Sequence, residues 1–217
     1  MTYAYGSRGE NVRRIQRLLK IYPDGRFGIL TREAVEEFQR KTGLKVDGIV
    51  GPATWCRLVG LAIQPKTNRR INEIIIHCTA TPAGKDYSVE EIRRMHRLRG
   101  FSDIGYHYVI SRDGTTNVGR DVAIAGAHCS GHNAHSIGIA YVGGLAKDGK
   151  KPADTRTVAQ ARALERLVLS IKYFYPEAVV KGHRDFSPDK NGNGLIEPSE
   201  WVKACPCFDA AKEYAEI

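Results

Sequence analysis

Residues 73–81 read EIIIHCTAT and residues 178–183 read AVVKGH. Both are short apolar runs of the kind that form buried strands, and each carries a histidine at its end, His77 and His183. Strand and helix signals alternate between them. Ser88 with Glu91 forms a capping box for a helix that runs to about Arg99 and stops at Gly100. GYHYVIS (105–111) and TTNVG (115–119) flank a turn and read as a hairpin. SIGIAYVGG (136–144) is another apolar strand. Thr157 with Gln160 caps a long helix through about Tyr173. Short helices are expected around Pro198–Lys203 and Phe208–Ala215. Strands separated by helices, plus one hairpin, predict an α/β domain: a mixed β-sheet flanked by helices.

The first 60 residues read differently. Ser7 with Glu10 forms a capping box ahead of VRRIQRLLK, where Val12, Ile15, Leu18 and Leu19 share a face. TREAVEEFQRKTG predicts a second helix, capped by Thr31 and closed by Gly43, with Ala34, Val35 and Phe38 as its apolar stripe. Pro52 suits the first turn of a third helix. DGxxG occurs twice, at Asp24–Gly28 and Asp47–Gly51, each time feeding a helix. The expected organisation is a small three-helix domain at 1–62, a polar linker at 63–71, and the α/β domain at 72–217.

Of the 217 residues, 42% are hydrophobic and 26% charged, enough apolar material for a packed core. No run of 18 apolar residues exists, which excludes a transmembrane helix. The stretch MTYAYGSRGENV lacks a basic start followed by an apolar run, so no secretory signal peptide is expected and synthesis should be cytoplasmic. Net charge is +9. Residues 1–63 carry 11 Lys/Arg against 6 Asp/Glu, or +5; the rest carry 22 against 18, or +4. Basicity spread over both halves argues against a nucleic-acid arm and for a diffuse attraction to a polyanion. Five cysteines at irregular spacing do not form a disulfide framework, and at least one is a candidate metal ligand.

Two strands ending in His77 and His183 can bring both imidazoles to one sheet edge. Cys205 follows, just before Pro206. Two His and one Cys make a three-ligand set for zinc, and three ligands leave a fourth position open for water, the pattern of a catalytic site. The other histidines have plainer readings. His107 follows Tyr106 on a strand and should face the other way as a packing residue. Cys78 is related to His77 in the same way. His96 lies on a helix, at the surface or behind the site. His128, His132 and His135 occupy a Gly- and Asn-rich loop; His128 is the candidate substrate contact, and the loop is too irregular to predict a second metal site. DKNGNGLIEPSE (189–200) fits the calcium-loop pattern, with Asp189, Asn191, Asn193, Leu195 and Glu200 as candidate ligands. The preceding GHRDFSP is a strand end and turn, where an EF-hand would have a helix. A calcium-free turn held by Asx-type hydrogen bonds is the competing reading.

GSRGENVRRIQRLL (6–19), DGRFGILTREAVEEFQ (24–39) and GLKVDGIVGPATW (43–55) resemble the peptidoglycan-binding domain of bacterial and phage wall hydrolases. That resemblance implies a wall-targeting module without chemistry of its own. HCTAT, HRLRGFSDIGYHYVISRDGT, VGRD, GAHCSGHNAHSIGIAYVGG, GHRD and KACPCFD occur in the order seen in phage-lysozyme-type N-acetylmuramoyl-L-alanine amidases, whose fold peptidoglycan recognition proteins share. The resemblance implies zinc on His77, His183 and Cys205, and catalytic side chains at Tyr106 and Lys203. It also implies hydrolysis of the amide between N-acetylmuramic acid and L-alanine. Recognition proteins that lack catalysis typically lack the ligand cysteine, which this chain has. Cys207 departs from the phage pattern, where Ser stands; it is expected to pack. A non-catalytic receptor and a zinc peptidase of the stem peptide are the alternatives. The expected setting is a phage endolysin or bacterial wall lysin: monomeric, acting on peptidoglycan, without nucleic-acid binding or membrane insertion.

Overall fold

The structure is a computed structural model describing residues 2–60 and 65–217. It divides into two compact units, Met1–Pro65 and Lys66–Ile217. The expected domain end at residue 62 and linker start at 63 lie outside the described residues. Lys66–Ile71, expected as linker, belong to the second unit. There the Thr67 amide donates to Tyr175 Oη at 2.6 Å, and Ile71 is buried.

The first unit holds helices α1 (Glu10–Leu18), α2 (Ile29–Lys41) and α3 (Pro52–Leu58) around Val12, Ile15, Phe27, Val35, Val50 and Trp55. Its organising device is a buried glutamine, used twice. Gln16 Nε2 donates to Asp24 Oδ1, the Arg26 carbonyl and Thr31 Oγ1, while its Oε1 accepts from the Gly25 amide. Gln39 repeats this with Asp47, Ile49, Thr54 and Gly48. Each glutamine thus ties a DGxxG turn to the helix after it. The turns require glycine, because Gly25 and Gly48 have φ of 77° and 67°. Two expected caps are corrected here. The N-cap of α1 is Gly9, and Ser7 Oγ accepts from the Ala4 amide instead. α2 begins at Ile29, so Thr31 lies inside the helix, where its hydroxyl serves Gln16. Pro52 opens α3 as expected.

In the second unit, β1 (Glu73–Cys78), β3 (Tyr108–Ile110), β4 (Thr116–Val118), β5 (Ser136–Tyr141) and β7 (Val179–Gly182) form a mixed sheet in the order β4-β3-β5-β1-β7. Only the β3–β4 hairpin is antiparallel. A second, two-stranded parallel sheet pairs β2 (Thr81–Pro82) with β6 (Gly144–Leu145), strands too short to announce themselves in sequence. Ile74, Ile75 and Ile76 are all fully buried, so both faces of β1 are covered, as parallel strands demand. The capping boxes at Ser88 and Thr157 open α4 (Val89–Leu98) and α5 (Val158–Phe174). Ile92 of α4 packs with Ile104, Val109 and Val142. Gln160 of α5 donates to the carbonyls of Ile110 and Val142. The C-terminal helices are shorter than expected: a 3-10 turn at Pro198–Glu200, and α6 (Ala210–Glu213) capped by Asp209.

Candidate metal centre and active site

The register of β1 and β7 places the site. Ile76 pairs with Gly182, so the next residues, His77 and His183, emerge side by side with ring centroids 4.7 Å apart. Cys205 arrives through the 189–200 loop. The Arg184 amide donates to its carbonyl at 2.7 Å, and Tyr141 Oη donates to the carbonyl of Pro206 at 2.7 Å, which ties this segment to the turn after β7 and to β5. The peptide between Cys205 and Pro206 is cis. One donor atom from each of His77, His183 and Cys205 lies within 4.8 Å of the others.

His77 is fully buried and its two nitrogens face different partners. Nδ1 lies 3.8 Å from Cys205 Sγ, and Nε2 lies 3.1 Å from His128 Nδ1. His128 Nε2 in turn lies 3.4 Å from Ser136 Oγ. The consistent tautomers have His77 Nε2–H donating to His128 and His128 Nε2–H donating to Ser136. This leaves the His77 Nδ1 lone pair directed at the centre. The His128 ring lies against Gly126 and Gly138, where an added Cβ would meet it at 2.3 and 2.5 Å. Burial, then the charges of His128, His183 and Lys203, holds the pKa of His77 well below the ordinary histidine value. Burial and Lys203 push His183 down to about 4. Both imidazoles are therefore neutral at neutral pH.

Tyr106 lies against the centre, its ring centroid 5.2 Å from that of His77 and 5.1 Å from that of His96. Burial, reinforced by Cys205 and Cys78, raises the pKa of its hydroxyl, so it stays a hydrogen-bond donor. Lys203 is exposed, and its charge reaches both His77 and His183. His96 is buried, with Nδ1 accepting from the Gly105 amide. His107 is buried too: Nδ1 accepts from the Gly138 amide and Nε2 donates to the Ile124 carbonyl. The Cys78 amide donates to Cys205 Sγ at 3.2 Å, while the Cys78 side chain meets Cys207, 4.0 Å away. Hydrogen bonding to Cys205 and burial push the Cys78 thiol up to about 12, and the Cys207 thiol is raised by Cys78 and burial. Both stay protonated, and Cys207 Sγ donates to the Gly144 carbonyl.

His128, the candidate substrate contact, is buried against His77. It is 8% exposed and both ring nitrogens are engaged, so it supports His77 from behind. The 189–200 loop is closed by its own amides. Asp189 accepts from Gly192 and Gly194, Asn193 Oδ1 from Leu195, and Glu200 from Lys190, Asn191 and Glu197. A 3-10 turn precedes the loop and another forms its last three residues, where an EF-hand has helices. The loop's amide hydrogen bonds are those of an Asx-type turn. Arg69 went unnoticed in sequence because it lies in a polar stretch. Its guanidinium donates to the carbonyls of Val122, Ile124, Asn133, Ala134 and Ser136, pinning the segment that carries His128.

Fold and site together define a class: an α/β domain in which two parallel strand ends and the loop after them bring together a His/His/Cys donor set, in a chain that also holds a three-helix unit. Residues 67–198 match the N-acetylmuramoyl-L-alanine amidase family, and residues 8–58 match a peptidoglycan-binding domain family. The endolysin of Klebsiella phage KP32 is 38% identical over 147 residues, covering 68% of this chain and 87% of that protein. The endolysin of Escherichia phage T7 is 37% identical over the same shares. Among solved structures, the endolysin N-acetylmuramoyl-L-alanine amidase LysCS from Clostridium intestinale URNW aligns with a TM-score of 0.52 at 25% identity, over 71% of this chain and 95% of that one. The chain belongs to the N-acetylmuramoyl-L-alanine amidase family.

Proposed function

We propose that the second unit hydrolyses the amide between N-acetylmuramic acid and L-alanine in bacterial peptidoglycan, at a zinc ion held by His77 Nδ1, His183 and Cys205. The observation carrying this reading is the convergence of those three donors at the strand ends, in a chain of the amidase family. The donor set fits zinc: two imidazoles kept neutral, one sulfur, and a buried His77 whose outward nitrogen is already fixed by His128. When bound, the ion supplies Lewis acidity, polarising the carbonyl and acidifying water. The chain's own groups do the rest. Tyr106, kept protonated, donates a hydrogen bond to the reacting carbonyl oxygen or the attacking water. Lys203 places positive charge where the oxyanion develops. The His77–His128–Ser136 chain keeps the imidazole from turning. The first unit holds the enzyme on the wall, the surface at which it acts.

The test is digestion of purified walls. New L-alanine N-termini without new reducing sugar ends are expected. New D-amino termini would favour a stem-peptide peptidase, and wall binding without product would favour a receptor. Cys205→Ala should abolish cleavage, lower zinc content by one equivalent and leave wall binding intact.

A further inference from the structure

A second donor cluster meets the start of the same strand, outside the centre described above. Glu73 opens β1 four residues before His77, so both side chains leave the same face, about 13 Å apart along the strand. His132 and His135 lie over Glu73. His132 Nδ1 is 3.0 and 3.1 Å from the two carboxylate oxygens, and His135 Nε2 is 3.4 Å from one of them. One donor atom from each residue lies within 4.8 Å of the others.

The convergence has a local cause. His132 immediately precedes the 3-10 turn Asn133–His135, and residues three apart eclipse in that geometry. The turn is held from behind: Arg69 donates to the carbonyls of Asn133, Ala134 and Ser136, and the Asn72 amide donates to the His135 carbonyl at 3.0 Å. The His132 ring also lies 4.1 Å from that of Phe186. All three donor side chains are partly exposed, at 14%, 32% and 36%, so an ion reaches them from solvent. A single imidazole would satisfy Glu73; the second adds a donor that simple pairing does not need. Two imidazoles and one carboxylate suit borderline divalent ions, whereas magnesium and calcium prefer all-oxygen sets.

We propose that Glu73, His132 and His135 form a second metal site, selective for divalent ions of the zinc, cobalt and nickel class. The bound ion ties the start of β1 to the segment carrying His128, and so stiffens the support beneath His77. The site is independent of the hydrolytic reading.

Cobalt(II) chloride added to metal-free, full-length Cys205→Ala protein tests it. One equivalent should bind without a sulfur-to-cobalt charge-transfer band. Melting should rise by about 5 °C at a cobalt excess of roughly 100-fold over Kd. Adding His132→Asn and His135→Asn should remove both effects. If Cys205→Ala binds no cobalt, or binds it equally after those two changes, the proposal is overturned. Should the double change disturb the circular dichroism spectrum, Glu73→Gln in the Cys205→Ala background decides instead. Affinity at least about tenfold weaker supports the site, and unchanged affinity sinks it.

Discussion

His128 and His107 lie behind the reacting groups, and both are fixed by hydrogen bonds, which gives each a measurable consequence. His128 holds His77 Nε2 at 3.1 Å. His128→Ala should free the His77 ring and weaken zinc binding by about 10- to 100-fold, read by competition with a chelator. Tyr106→Phe should behave differently: zinc content unchanged, and kcat lower by about 10²- to 10³-fold if the hydroxyl assists the developing charge. Equal activity in the phenylalanine variant would remove Tyr106 from the chemistry. His107 offers a pH prediction. Burial pushes its pKa down to about 4, so between the unfolded value of 6.5 and 4 the unfolded chain binds more protons than the native one. Its contribution is fully present above pH 6.5 and fades as pH falls to about 4, by on the order of 3 kcal/mol. A His107→Gln variant should show a flatter fall in stability across that window, measured by urea unfolding. The sequence made His77, His183 and Cys205 visible as residue types. It could not show His128 as their support, because a histidine in a glycine-rich loop carries no signal of which ring it will touch.

At the scale of elements, what could be read depended on how local the cause was. The capping boxes of α4 and α5 were readable because each closes within four residues. Ser7–Glu10 has the same spacing, yet Ser7 bonds to Ala4 and Glu10 pairs with Arg17 and Arg13. Thr31 was drawn from its cap by a partner fifteen residues earlier. That partner, Gln16, looks like an ordinary polar helix position in sequence, as does Gln39. Gln39 is 1% exposed and holds the Asp47–Gly48 turn through donors and acceptors alike. Gln39→Leu should leave buried amides and carbonyls without partners and destabilise the first unit by about 2–4 kcal/mol. A loss under about 1 kcal/mol in thermal or urea unfolding, no larger than a surface change causes, would mean the turn stands without it.

For the whole molecule, the α/β class followed from alternating signals, but the site did not follow from spacing. His77 and Cys205 are 128 residues apart, and only the β1–β7 register and the loop 189–200 bring them together. The division of labour between the units is testable in the same spirit. If the first unit contributes binding alone, Lys66–Ile217 should cleave small soluble muropeptides with the kcat/KM of the full chain. On intact walls it should lose activity, by up to about 10²-fold, because the full chain's second encounter with the wall is intramolecular. The full chain carries +9, so long-range attraction should contribute to its hold on an anionic wall. Raising salt from about 0.01 M to 0.15 M shortens the screening length from about 30 Å to 8 Å. Activity of the full chain on walls should therefore fall with salt while activity on soluble fragments stays level. A loss on soluble fragments after truncation would instead mean that residues of the first unit take part in the reaction, and the two units could no longer be assigned separate tasks.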